Sequence, residues 1–344
     1  MELGGQLPEL DIAYETWGTL SPAGDNAILV CPAFSGHSHL ASSERDPSPG
    51  WWNGMVGPGR AFDPEESFIL CPALLGGSYG TTGPTSIDPR TGKAYRGHFP
   101  VITVRDIVNV HIRLLNHLGI DRLVGAVGGS LGGMEIAELL VSHPGRAARC
   151  VTISGTAATR PYTVSIRHIA RRAIMLDPEY KGGFYEGDGP VNGLRLAREV
   201  GTLFYRSREE FNERFPWEPI HEPSLAGTTF DVQSYLGYQG RKIVGVFDAN
   251  SYLTMSMAMD LHDVWRGFEN REAALANVDA ETLVIGVEED RLIPVDEQRE
   301  IHDVLVEAGK ESTWESISSR IGHDAFLVET DLMSEMVGGF LKGQ

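Results

Sequence analysis

The chain has 344 residues, is 42% hydrophobic and carries a formal net charge of −18. That length and apolar content suffice for a large buried core, in one α/β domain with an insertion or in two domains. The charge argues against nucleic acid or an anionic membrane surface as the main partner, and no apolar run approaches bilayer-spanning length.

Near the start, Leu10, Ile12 and Tyr14 alternate with Asp11, Ala13 and Glu15, which predicts an amphipathic strand. Residues 27–31 and 68–71 are short, wholly apolar runs suited to central parallel strands. Ile107, Val108, His111, Leu115 and Leu118 then trace one face of a helix, with Thr103 and Asp106 as its cap and Gly119 as its stop. A third apolar strand, 123–127, runs into a helix marked by Met134, Ala137 and Leu140 and ended by Pro144. A fourth strand at 150–154 follows at once. This alternation predicts a mostly parallel sheet flanked by helices.

The pattern changes after residue 157. Residues 160–277 have little strand character and many charges, with helical segments at 167–174 and 194–200. A buried strand returns at 282–286, and a terminal helix ends near Leu341. The division expected is a sheet core in two parts, 1–157 and 278–344, interrupted by a helical lid over 158–277.

Cys31, Cys71 and Cys150 each sit at the edge of an apolar run, an odd number without metal-site or redox spacing. They read as buried free thiols in a reducing compartment. With no basic segment and apolar core at the N-terminus, the expected location is the cytoplasm.

The segment most informative for function is Val124-Gly-Ala-Val-Gly-Gly-Ser130-Leu-Gly-Gly-Met-Glu135. It joins a strand to a helix through a Gly-x-Ser-x-Gly turn, and such a turn leaves the serine projecting at the head of the helix. With 40 glycines in the chain the pattern arises easily by chance, so its strand-to-helix context carries the argument. The bland alternative is a glycine-rich turn without chemistry. A serine hydroxyl needs a base in reach, and the base needs an acid to orient it. On sheets bearing such a turn, acid and histidine come later, on loops after late strands. The strand at 282–286 leads into Val287-Glu-Glu-Asp290, which makes Asp290 the candidate acid, with Glu288 and Glu289 as competitors. His323 lies on a glycine-flanked loop before the last helix and is the candidate base. His37 and His39 precede the serine, and His168, His262 and His302 lie in helical surroundings. The oxyanion formed by attack needs two backbone donors. Leu131 supplies one, and the loop Pro32-Ala-Phe34-Ser-Gly36 the other, with Phe34 the candidate.

Further motifs run along almost the whole chain. They include Ala13-Tyr-Glu-Thr-Trp-Gly-Thr-Leu20, Gly50-Trp-Trp-Asn-Gly-Met-Val-Gly-Pro-Gly59 and Gly128-Gly-Ser-Leu-Gly-Gly-Met134. Later come Leu196-Ala-Arg198, Ser234-Tyr-Leu-Gly-Tyr-Gln-Gly240, Phe247-Asp-Ala-Asn-Ser-Tyr252 and Gly322-His-Asp-Ala-Phe326. In these the chain resembles the homoserine O-acetyltransferases, within the α/β-hydrolase superfamily. The resemblance implies an α/β-hydrolase fold and a ping-pong reaction of methionine biosynthesis. Serine takes an acetyl group from acetyl-CoA, the co-substrate, and L-homoserine accepts it; no bound cofactor or metal is implied. It further implies Ser130, Asp290 and His323 as the triad, Arg198 as the clamp for the acceptor carboxylate, Asp324 for its ammonium and Tyr205 in the same tunnel. A homodimer and a water-excluding lid belong to the same expectation. Arg167, Arg171 and Arg172 on the first lid helix are candidates for the phosphates of CoA.

Departures leave alternatives open. Where relatives usually have His-Ala-Leu-Thr-Gly this chain has Pro32-Ala-Phe34-Ser-Gly36, and it has Ser78-Tyr79 for Cys-Lys and Glu135 for Gln. Serine is the alternative acceptor and succinyl-CoA the alternative donor. Leu292, where succinyl-using relatives place an arginine, favours acetyl. An esterase of the same fold is the other alternative.

Overall fold

The computed structural model describes residues 1–225 and 227–343. Seven strands form the main sheet: β1 (Tyr14–Trp17), β2 (Ala27–Cys31), β3 (Phe68–Pro72), β6 (Leu123–Gly129), β7 (Ala147–Ile153), β8 (Glu281–Val287) and β9 (Ser312–Ile317), in the order β1-β3-β2-β6-β7-β8-β9. Between β3 and β6 two short strands, β4 (Ile87–Asp88) and β5 (Lys93–Ala94), make a separate hairpin. In the main sheet β1 pairs antiparallel with β3, and every other neighbouring pair is parallel.

Alternation along the central strands sends side chains to two cores. Ala27, Leu29 and Cys31 of β2 join one cluster with the helices α1 (Val104–His117) and α2 (Leu131–Ser142), while Ile28 and Val30 join a second on the opposite face. The second holds Trp52, Phe62 and Phe326 together with Met333 and Val337 of the last helix. A strand buried on both faces has no polar side to show, which is why these runs are apolar throughout. Thr103 caps α1 by accepting from the Asp106 amide, and the Asp106 carboxylate accepts in return from the Thr103 amide, as the sequence predicts.

Two strands differ from expectation. The run from Leu10 becomes regular strand only at Tyr14. Upstream, the amides of Asp11 and Ala13 donate to the hydroxyls of Thr82 and Thr81, at 2.9 and 3.0 Å. Side-chain hydroxyls replace part of a neighbouring backbone there, so the ladder does not extend. The edge strand β9 was not foreseen: only Ile317 of its six residues is buried, so no apolar run announces it.

Between β7 and β8 the described residues form helices and no strand of the main sheet. These are α3 (Pro161–Leu176), α4 (Val191–Tyr205), α5 (Arg208–Arg214), α6 (Asp231–Ile243), α7 (Ala249–Asp260) and α8 (Arg271–Leu275). After β8 come α9 (Val295–Glu307), β9, the short α10 (Ala325–Val328) and α11 (Thr330–Lys342). No helix among the described residues is long and apolar enough to cross a membrane. Cys31, Cys71 and Cys150 are free and buried, and burial raises the thiol pKa of each. They are poor nucleophiles for that reason.

Candidate active site

Ser130 stands between β6 and α2 with φ 58° and ψ −117°, outside the comfortable range for a residue with a Cβ. Its amide donates to the Ile153 carbonyl of β7 at 2.9 Å, which helps to hold the turn in place. A Cβ on Gly128 would come within 2.3 Å of the Gly132 carbonyl oxygen, and one on Gly132 within 2.3 Å of that of Cys31. Glycine at both positions lets the turn close and α2 lie against β2.

The His323 ring spans the two other candidates. Its Nε2 lies 2.8 Å from Ser130 Oγ and its Nδ1 lies 2.6 Å from Asp290 Oδ2. The three side chains are buried, from an element that starts after β6, a loop after β8 and a loop after β9. Burial works to lower the His323 pKa, and the charge and hydrogen bond of Asp290 outweigh it, so the net shift is upward. Asp290 is itself held firmly. Its Oδ1 accepts from the amides of Leu292 and Ile293 at 2.8 and 2.9 Å, and its Oδ2 from Gln298 Nε2 at 3.0 Å.

The competing acids do other work. Glu289 accepts from Ser318 Oγ and the Ser319 amide, at 2.5 and 2.7 Å, and Glu288 from Ser316 Oγ at 3.2 Å. Glu288 ties the end of β8 to β9 itself, and Glu289 ties it to the segment that follows β9. Three of the other histidines have partners away from Ser130. His39 contacts Glu15 at 2.8 Å, His302 contacts Ser312 at 3.0 Å, and His262 contacts the Thr156 carbonyl at 2.8 Å. Burial drives the His262 pKa down to about 4, so its ring stays neutral.

A cavity of about 110 Å³ opens on Ser130 and His323. Phe34, Arg198, Tyr205 and Asp324 also line it. The Arg198 guanidinium lies 5.4 Å from the centre of the Tyr205 ring, within cation–π range. Asp324 is paired with Arg206, Nε to Oδ2 at 3.2 Å. Burial raises the Asp324 pKa, and the charges of Arg206, His323 and Arg198 oppose that shift. Phe34 packs edge-on against Tyr252 at 4.9 Å, and Leu131 is the first residue of α2. Of the residues singled out from the sequence, Ser130, His323, Phe34, Arg198, Tyr205 and Asp324 therefore line one cavity, while Asp290 is bonded to His323 and Leu131 adjoins Ser130. The arginines proposed for phosphates fare differently. Arg167 and Arg171 are buried against Asp260, at 2.6 and 2.5 Å, and are not free on the surface; only Arg172 is exposed.

Sequence reading missed Gln298 and Arg206. Gln298 sits inside α9, and only the fold brings its amide to Asp290. Arg206 follows Tyr205 directly, but nothing local marks it as the partner of a carboxylate far along the chain.

Such an arrangement can activate a hydroxyl, form an ester on it and pass the acyl group to a second nucleophile. The comparisons agree with that chemistry. Residues 26–327 match the family model described as alpha/beta hydrolase fold. The homoserine O-acetyltransferase of Carboxydothermus hydrogenoformans is 43% identical over 99% of this chain and 92% of its own length. The serine O-succinyltransferase of Litchfieldella anticariensis is 43% identical over 99% and 95%. Among solved structures, a homoserine O-acetyltransferase from Bacillus anthracis superposes with a TM-score of 0.90 at 32% identity, covering 96% of this chain and 92% of that one. With a sheet, a nucleophile turn and near full-length likeness of this kind, the chain belongs to the homoserine O-acetyltransferase family of α/β-hydrolase-fold acyltransferases.

Proposed function

We propose that the protein moves an acetyl group from acetyl-CoA to the hydroxyl of L-homoserine through an acyl-serine, a step of methionine biosynthesis in the cytoplasm. The observation that carries this reading is the chain Ser130–His323–Asp290, at 2.8 and 2.6 Å, opening on a cavity that Arg198 and Asp324 also line. His323 takes the Ser130 proton as Oγ attacks the thioester carbonyl and gives it to the departing CoA sulfur. The amides of Leu131 and Phe34 are the donors assigned to the oxyanion. In the second half-reaction His323 takes the acceptor hydroxyl proton, that oxygen attacks the acyl-serine, and Ser130 regains its hydrogen. Arg198 suits a carboxylate and Asp324 an ammonium, so the pair fits an amino-acid acceptor beside the acyl group. Tyr205 stacks with Arg198 and completes that wall.

The helical segment 158–277 acts as the lid in this reading. It supplies Arg198 and Tyr205 and keeps water from the acyl-serine before the acceptor arrives. Two copies are expected to form a homodimer, as the family resemblance implies. The serine O-succinyltransferase among the relatives supports a second reading, with serine in place of homoserine as the acceptor.

The test follows CoA release from acetyl-CoA with and without homoserine. Release beyond one equivalent is expected to require the acceptor, whereas equal release without it identifies a hydrolase. Arg198→Ala should leave the single-equivalent burst and raise the acceptor KM by about tenfold or more, since a charge-assisted pair is worth ~1.5–3 kcal/mol.

A further inference from the structure

Cys31 on β2, His111 on α1 and Glu135 on α2 converge between the sheet and its helices, and none of the three lines the cavity at Ser130. Their exposures are 1%, 1% and 0%. His111 Nε2 lies 2.6 Å from Glu135 Oε2, while His111 Nδ1 and Glu135 Oε1 are buried without a hydrogen-bond partner. A sulfur, a ring nitrogen and a carboxylate oxygen, one from each residue, all lie within 4.8 Å of one another. The three are far apart along the chain, so no spacing announces the cluster; the fold assembles it.

Protons alone do not satisfy this cluster. With His111 charged and Glu135 ionised the charges cancel, but Nδ1–H still lacks an acceptor and Oε1 a donor. A protonated Glu135 beside a neutral His111 leaves the Nδ1–H unmatched as well. Either state carries the cost of unpaired polar atoms in an apolar core. His111 is the one ion-pair partner of Glu135 among the described residues. Cys31 adds only a weak S–H donor, and burial, then the charge of Glu135, raise its thiol pKa. Relatives usually carry glutamine at position 135, so this chain puts into its core a carboxylate that the amide does not supply. A divalent cation changes the balance: thiolate and carboxylate together match its two charges, and the imidazole donates a lone pair.

We propose that Cys31, His111 and Glu135 form a structural site for a divalent transition-metal ion, zinc first among them, which ties α1 and α2 to β2. Sulfur with imidazole nitrogen suits zinc and disfavours magnesium and calcium, which take oxygen ligands. On ligation the Cys31 S–H bond breaks, its proton goes to solvent and the sulfur binds the metal. A His111 nitrogen and a Glu135 oxygen bind through lone pairs, and no electron is transferred. A coordinating thiol stays deprotonated even where burial alone would keep its proton on. Because all three residues are buried, the ion enters as the chain folds, and its binding energy becomes folding energy. Glu135 lies one turn into the helix that Ser130 heads, so the ion braces the platform of the nucleophile without touching substrate. The inference is independent of which acyl group or acceptor the cavity takes.

The experiment refolds the full chain from denaturant with excess zinc or with a chelator, removes loose metal by gel filtration and measures bound zinc by plasma mass spectrometry. About one zinc per chain should remain, and the denaturation midpoint should be higher for the zinc form. Refolding with cobalt should give an intense near-ultraviolet band from thiolate-to-metal charge transfer. Cys31→Ala should abolish that band, and Glu135→Gln, which keeps the shape of the side chain, should lose the zinc. Cys71→Ala should keep both, since that thiol belongs to the core on the opposite face of the sheet. A chain that folds and retains no zinc overturns the proposal, as does zinc retained in full by Glu135→Gln or by Cys31→Ala, or a cobalt form without the thiolate band. Loss of zinc from a folded Cys71→Ala protein marks unspecific thiol binding and overturns it too. Should Cys31→Ala fail to fold by circular dichroism, Glu135→Gln and the cobalt band of the unaltered chain decide.

Discussion

Ser130, His323 and Asp290 depend on one another in a way that fixes the direction of the pH dependence. His323 must be neutral to accept the serine proton, and its pKa is raised from the ordinary 6.5 despite burial, because Asp290 stabilises the cation. Acylation should therefore rise with pH through an inflection above that of a free imidazole and lose rate below it. Asp290→Asn removes the upward influence and the anchor for Nδ1. Burial then dominates, so the inflection should move to lower pH while the rate falls by about 10³–10⁴. A pH–rate profile of acyl-enzyme formation measures both effects. An inflection unmoved by the substitution would falsify the assignment of Asp290. At this scale the sequence is most legible where chemistry is local. Ser130 announces itself through the glycines two positions to either side of it. Choosing Asp290 over Glu288 and Glu289 rests on chain order and likeness, and only geometry shows the two glutamates facing the end of β9. Gln298 and Arg206 are illegible because their partners are brought by the fold and no spacing encodes them.

At the scale of elements, β2, β6 and α2 form the platform for the nucleophile. The close approach of α2 to β2 is decided at Gly132, where a Cβ would meet the Cys31 carbonyl carbon and oxygen at 3.0 and 2.3 Å. Backbone in a central strand cannot give way as a flexible side chain does, so Gly132→Ala must move α2 outward. Overpacking of this kind costs ~1–3 kcal/mol, and the helix head that moves is the one bearing Ser130. Denaturant titration should register a loss in that range, with acylation reduced by more than the folded fraction explains. Full activity in a protein destabilised to that extent argues against a rigid platform. The elements most clearly written in the sequence are those buried on both faces, such as β2 and β3, because nothing polar interrupts their runs. The edge strand β9 is paired on one side only and has one buried residue, so its sequence resembles a loop. The first strand is short for another reason, since the hydroxyls of Thr81 and Thr82 stand in for backbone partners.

Across the whole molecule, the reacting groups come from positions as much as 193 residues apart, and the helical segment must meet the sheet where His323 emerges. That seam is built from backbone. The Ser207 amide donates to the Ile321 carbonyl at 3.1 Å, and the Asp324 amide donates to the Tyr205 carbonyl at 3.2 Å. Ser207 Oγ reaches the Arg320 carbonyl, and Arg206 pairs with Asp324 across the same junction. The residue after Tyr205 in α4 and the residue after His323 are thus bonded to each other. In the proposed reaction, a substrate held by Arg198 on α4 presses on the element against which the histidine loop rests. Gly322 lies at the centre with φ 83°, and a Cβ there would fall 2.8 Å from the Ser207 amide nitrogen. Gly322→Ala meets both a left-handed backbone, which costs a residue with a Cβ ~1–3 kcal/mol, and a backbone contact that must open. The seam should part locally and His323 should lose its register with Ser130, while the sheet, paired elsewhere, stays folded. Because His323 serves both half-reactions in the proposed mechanism, the burst of CoA release and the steady transfer should fall together, by about tenfold or more. Arg198→Ala, at the residue proposed to clamp the acceptor, should spare the burst. Rapid-quench measurement of the burst separates the two. A Gly322→Ala protein that is folded and keeps its burst rate shows that the histidine is held by the sheet side alone.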